Sequence, residues 1–163
     1  MSQPAKDNLL YPLHVFNFEV EFHQESLDGT VQTPLVPICS GAFAECTGLE
    51  ATMEPKVIKE GGNNYGAVQR AGPVTFATVI LKRGMTTTKH LWQWFELVNA
   101  RGAYAHRLQV IIIVKDNAGK PVFRWQLSRA LPIKFKTADL NARGTEVGIE
   151  ELHLAHEGLT ISQ

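Results

Sequence analysis

A mainly β protein, either a small β-barrel or a two-sheet sandwich with one packed α-helix, is what this 163-residue sequence predicts. Three observations carry that expectation. Phe16, Phe18, Val20 and Phe22 alternate with Asn17, Glu19 and Glu21, the period-two pattern of a strand buried on one face. Further short runs rich in Val, Ile and Phe recur between Gly, Pro and Asn punctuation. A single stretch, near residue 90, has the 3.6 period of a helix.

Taken in order, residues 1–12 are polar and proline-punctuated and read as an N-terminal arm, leaving 13–163 as one domain. After the first strand, residues 23–37 hold Asp28-Gly29 and two prolines, which predicts a hairpin or long loop with a short strand over residues 29–33. A strand is expected over residues 51–59, then a turn at Glu60-Gly61-Gly62-Asn63-Asn64, where Gly and Asn tolerate positive φ. Neither Gly-Lys-Ser/Thr nor a helix follows that glycine pair, so it lacks the parts of a phosphate-binding loop.

Residues 74–82 are β-branched and alternating and predict another strand. Leu91, Trp94, Phe95 and Val98 then fall at i, i+3, i+4 and i+7, with Thr86-Thr87-Thr88 offering N-cap hydroxyls and Gly102 beyond the end. One amphipathic helix over residues 88–101 follows. Trp92 lies about 100° round from Leu91, where it either widens the core stripe or meets a neighbouring subunit. Residues 108–114 and 122–127 flank Asp116-Asn117-Ala118-Gly119 and pair as a hairpin. Val110-Ile111-Ile112-Ile113-Val114 is apolar on both faces and asks for cover on both.

The last strand, residues 145–159, has a phase problem. Val147 and Ile149 mark one face, whereas Leu152 and Leu154 mark the other. A β-bulge at Glu150-Glu151 would bring all four apolar residues together and turn both glutamates outward. The alternative is a strand that changes partners partway, its first half in this core and the rest against a second sheet or a neighbouring chain.

Sixteen basic residues balance sixteen acidic ones, so no overall field draws the chain onto nucleic acid or an anionic membrane, and little self-repulsion opposes assembly. The longest apolar run is far below the length of a membrane span, and no signal-peptide core is found, so no membrane anchor is expected. Cys39 and Cys46 have the spacing of neither a zinc pair nor a redox pair and read as free, partly buried thiols. His153, His156 and Glu157 do not have zinc-binding spacing, and no metal or cofactor is expected. With no nucleophile motif present, and Glu150 and Glu151 on opposite faces of a regular strand, no catalytic residue is assigned and the chain reads as a non-enzyme.

Several short motifs, in order, carry a resemblance. They are Thr47-Gly48-Leu49-Glu50, the turn at residues 60–64, Leu81-Lys82-Arg83-Gly84 and Leu91-Trp92 with Trp94. Arg124-Trp125, Pro132-x-Lys134, Leu140-Asn141-Ala142 and the closing Glu146-Val147, Ile149-Glu150, Leu152, Leu154, His156-Glu157-Gly158-Leu159 complete the set. Together they resemble the tail tube proteins of contractile bacteriophages and the inner tubes of phage-tail-like contractile injection systems, over about residues 12–159. The resemblance implies a tail-tube-like barrel domain whose homohexameric rings stack into a hollow conduit. It also implies a sheath outside, a baseplate hub or spike at one end, and protein or DNA cargo in the lumen. Synthesis in the bacterial cytoplasm without a signal peptide would follow.

Subunit-interface candidates on this reading are Trp92, Glu150, Glu151, Leu152, Leu154, His156 and Glu157, the outward glutamates being candidates for the lumen wall. The sequence departs from the family pattern in the long segment 23–37, at Ala71-Gly72-Pro73 and at Thr137-Ala138-Asp139. Those departures admit a baseplate-proximal tube initiator as a variant. A monomeric barrel that binds a ligand or peptide is the alternative from another class.

Overall fold

Alternating apolar residues must bury one face of each strand, and this chain does so by folding a single extended ladder of strands back upon itself. The computed structural model describes residues 17–25, 31–35, 43–62, 65–100 and 107–163. The arm at 1–12, Cys39, Asn63, Asn64 and Gly102 lie outside the described residues. The first layer runs β2 (Val31–Leu35), β1 (Phe18–Glu25), β9 (Leu108–Lys115), the first half of β10 (Pro121–Lys136) and β12 (Gly158–Ser162). The second runs from the other half of β10 through β11 (Ile149–Ala155) and β8 (Val79–Gly84) to β3 (Glu45–Thr47). All these pairings are antiparallel.

The sixteen-residue β10 is the corner. Its register with β9 shifts between Leu127 and Ala130, and Arg129 within that shift has φ 51°. An extra residue in a ladder bends the strand, which is how one strand serves two sheets. Among the described residues no ladder joins β2 to β3, so the mainly β architecture takes the doubled, two-layer form and does not close into a barrel.

Val20 and Phe22, Val110 and Ile112, Leu127, Leu152 and Leu154, and Val79 and Leu81 point between the layers and form one core. The helix α1 (His90–Asn99) joins that core through Leu91, Trp94 and Val98. Trp94 meets Phe22 edge to face at 5.7 Å, a favourable arrangement for two ring quadrupoles. The helix is shorter than the 88–101 expected, and its N-cap is Lys89, with no side-chain cap hydrogen bond. Thr86 and Thr88 instead hydrogen-bond each other at 2.7 Å.

Two long strands expected from the sequence are broken. The stretch 51–59 forms β4 (Ala51–Met53) and β5 (Lys56–Ile58), interrupted at Glu54-Pro55, where proline has no N–H to give a ladder. The stretch 74–82 forms β7 (Val74–Phe76) and β8, separated by Ala77-Thr78. Among the described residues β4 pairs only with β7, and β5 only with β6 (Val68–Arg70), so the stretch 51–76 makes a two-stranded ribbon apart from the main ladder.

The final stretch corrects an expectation. β11 pairs with β8 without a shift from Ile149 to Leu154, so there is no bulge at Glu150-Glu151; the nearby shift is in β10, between Pro132 and Lys134. Regular alternation therefore sends Glu150 inward with Leu152 and Leu154, while only Glu151 turns outward. Val147 and Ile149 are exposed. The change of partner comes later, at His156-Glu157, where the chain passes from the second layer into β12 of the first.

Candidate functional site

Glu150 can turn inward because Arg83 stands directly opposite it on β8, and the two make a buried ion pair. Glu150 is 6 % exposed, and the Arg83 guanidinium also lies 5.9 Å from the centre of the Phe43 ring. A charge this deep needs such a partner, since desolvation alone would expel it. The interface role expected of Glu150, Leu152 and Leu154 is thus not open to them in this conformation: all three are spent inside the chain's own fold, both leucines with no exposure.

The opposite face of the second layer is polar and paired. Glu45 on β3 faces Lys82 on β8, Lys82 faces Glu151 on β11, and Glu151 faces Lys136 on β10. The result is a four-strand row of alternating charge, with Lys82 3.2 Å from the Glu45 carboxylate. His153 hydrogen-bonds the Glu151 carboxylate at 3.3 Å and, with Lys136 and Lys82, holds that carboxyl below its ordinary value.

At the corner, His156 and Glu157 tie three elements together. His156 Nδ1 donates to the Gly158 carbonyl at 2.9 Å, which requires the Nδ1–H tautomer. The Glu157 N–H donates to the Ser128 carbonyl at 3.0 Å, and its carboxylate accepts from Arg129 Nε at 2.8 Å and from Arg107. The His156 ring also lies 5.3 Å from the ring of Phe76, the last residue of the ribbon. Residues 156–158, part of the closing motif, are therefore the fastening between the ribbon and the body.

Gly48 and Gly72 set the ribbon's path. Gly48 has φ +86° and passes so close to the Thr78 carbonyl that a Cβ would stand 2.0 Å from its oxygen; a Cβ on Gly72 would stand 1.9 Å from the Glu54 oxygen. Beyond that base, Met53, Val57, Val68 and Val74 are all exposed. Glu60, Gly61 and Gly62 lie at the tip, Gly62 with φ +89°. Residue type alone does not announce that these valines are exposed; the signal in the sequence is the interrupting Pro55 and Gly72-Pro73.

At the other end of β8 a groove of about 700 Å³ opens between Met85 and the loop 137–148. The Met85 N–H donates to the Gly148 carbonyl at 2.8 Å, and Asn141 organises the loop by accepting from the backbone of Arg143 and Gly144, each at 3.0 Å. Trp92, 46 % exposed, lies outside the buried core, where it stacks on Phe95 and meets Phe135 edge to face, each at 5.7 Å. Cys46 is a free thiol whose pKa burial pushes up to about 12. Among the described residues no group of His, Cys, Asp and Glu is placed to hold a metal ion, and no helix is long and apolar enough to cross a membrane.

The sequence matches the family described as T4-like virus tail tube protein gp19 over residues 14–160. A chain from the anti-feeding prophage baseplate is similar in structure, with TM-score 0.76, 26 % identity and coverage of 93 % of this chain and 96 % of that one. A chain from the sheath–tube complex of an extracellular contractile injection system, PVC, in the extended state superposes with TM-score 0.73 at 15 % identity, covering 99 % of each. A third, from the tube-terminating cap of the anti-feeding prophage, has TM-score 0.70 and 19 % identity over 93 % of this chain and 91 % of that one. No curated protein sequence matches the chain.

Proposed function

Since this chain belongs to the T4-like virus tail tube protein family, we propose that it is a structural subunit of the inner tube of a contractile tail or injection particle. Six copies close into a ring, and rings stack into a hollow conduit for cargo. The observation that supports assembly is the ribbon 51–76: a lone two-stranded ribbon is marginal in water, yet this one displays Met53, Val57, Val68 and Val74. Such a surface asks for a partner.

The open strand edges support the ring. β2, β3 and β12 each have one paired side among the described residues, and open edges are normally covered. Joining them round a closed ring removes them, with each subunit contact burying about 1,000 Å² or more. The alternating row Glu45, Lys82, Glu151, Lys136 suits a lumen wall, because charges already paired with one another hold passing cargo weakly. On this reading a sheath surrounds the tube and a baseplate hub or spike meets one end. The cargo is protein or DNA, and the subunit is made in the bacterial cytoplasm.

A baseplate-proximal tube initiator is the second reading, favoured by the higher identity to the baseplate chain than to the chain of the sheath–tube complex. The mass of the purified protein in solution, with negative-stain imaging of the same sample, tests both. Hexameric rings that stack into tubes support the main subunit; rings that never stack alone support the initiator. A monomer that stays monomeric with baseplate partners added overturns both and favours a ligand-binding module.

A further inference from the structure

The charged row on the outside of the second layer is neutral, and the row beside it is not. Glu45, Lys82, Glu151 and Lys136 alternate across the first. Two residues along each strand, the next row runs Thr47 on β3, Ile80 on β8, His153 on β11 and Lys134 on β10. Residues two apart on a strand share a face, so both rows lie on the same one. That face carries three lysines against two glutamates, with His153 among them.

His153 stands directly opposite Lys134, and its other ladder partner, Ile80, brings no charge. Its one anion is Glu151, 3.3 Å from Nε2 on the same strand. The His153 hydrogen bond, Lys136 and Lys82 hold that carboxyl below its ordinary value, so it stays ionised in mild acid. Past Glu151, away from His153, Asp139, Arg143 and Glu146 line the groove. Past Ala155, at the corner, Arg107 and Arg129 share the carboxylate of Glu157, and the Gly158 carbonyl accepts the His156 Nδ1–H. An imidazole ordinarily takes up its proton between about pH 8 and 5. With His153 charged, Glu151 is shared by three cations, and two cations oppose each other across the ladder, an arrangement that costs energy until an anion is supplied.

We propose that this face holds acidic polypeptide cargo in mild acid and lets it slide at neutral pH, with His153 as the group that switches it and Lys134 as its partner. On the tube reading above, on which this inference rests, the face lines the lumen. An extended polypeptide places alternate side chains on one side about 7 Å apart, which is also the spacing of Lys134 and Lys136 along β10. Duplex DNA carries a charge every 1.7 Å or so, far denser than the cations here.

A short dye-labelled peptide of alternating Glu and Ser, added to the wild-type protein in about 0.1 M salt and followed by fluorescence anisotropy, tests the switch. Binding should be at least about fivefold tighter at about pH 5.5 than at about pH 8, because each exposed ion pair adds about 1.5- to 5-fold and the copies in a ring act together. His153→Gln, which keeps a donor for Glu151, should bind weakly at both pH values, and His153→Lys should bind tightly at both. Wild-type circular dichroism of the two variants checks that the fold is kept. Equal wild-type binding at the two pH values, a His153→Gln protein that keeps the acid response, or single-stranded DNA that responds to acid where the peptide does not would overturn the inference and leave the ring reading standing. Protein that binds the peptide in acid through His153 yet forms no rings would support the switch and overturn the lumen reading.

Discussion

At Gly48 the backbone is in the left-handed region, and the Thr78 carbonyl occupies the space a side chain would need. The conformational term alone costs about 1–2 kcal/mol for an alanine, and the clash adds to it. Gly48→Ala should therefore lower the urea midpoint clearly. Arg83 and Glu150 supply a sharper test. Glu150→Leu should cost about 3–5 kcal/mol, because it removes the carboxylate that pairs with a buried guanidinium, whereas Glu150→Leu combined with Arg83→Met should recover most of that loss. Equal destabilisation of the single and double variants would show that the pair is not what holds the site. The Cys46 thiol, raised to about 12, has only about one part in ten thousand as thiolate at pH 8. Iodoacetamide at that pH should leave Cys46 unmodified in the native protein and label it after unfolding, as peptide mass mapping would read.

At the level of elements, the ribbon and the corner behave oppositely. The first half of the corner strand β10 is laddered on both sides, by β9 and β12, from Arg124 to Leu127, and Leu127 lies in the core, so the amides of that stretch should exchange only with global unfolding. The ribbon has two short ladders, β4 with β7 and β5 with β6, of three residue pairs each, and exposed side chains on them. Its amides in β5 and β6 should exchange fast in dissociated protein and be protected in tubes; equal exchange in the two states would remove the ribbon from the interface. The helix contributes Leu91, Trp94 and Val98 to the core while Trp92 rests on Phe95 and Phe135 outside it. Trp92→Ala should thus spare the fold, and wild-type assembly by that variant would remove the subunit-contact reading of Trp92.

For the whole molecule, charge balance governs how assembly responds to salt. Net charge is zero, and the outer row of the second layer is internally neutral. Raising the salt from about 0.1 to 1 M, which shortens the Debye length from about 10 to 3 Å, should change tube yield little, while sulfate should raise it by strengthening apolar burial. A collapse of tubes with rising sodium chloride would mean that ion pairs between subunits, and not the ribbon's apolar strip, carry the contact.

Local pattern was sufficient for whatever depends on period and punctuation. Phe18, Val20 and Phe22 declared their strand, Leu91, Trp94 and Val98 their helix, Asp116 to Gly119 their hairpin, and the run of short motifs the family. What local pattern could not supply was the partner across the ladder. Glu150 looked like a residue for solvent until Arg83, 67 positions away, stood opposite it. Nothing local to Val57 or Val68 shows that their strands pair with each other, apart from the main ladder. The apolar pattern specifies that a face must be covered, because burial depends on composition; which surface covers it depends on register and on chain path, and these are set only when distant strands meet.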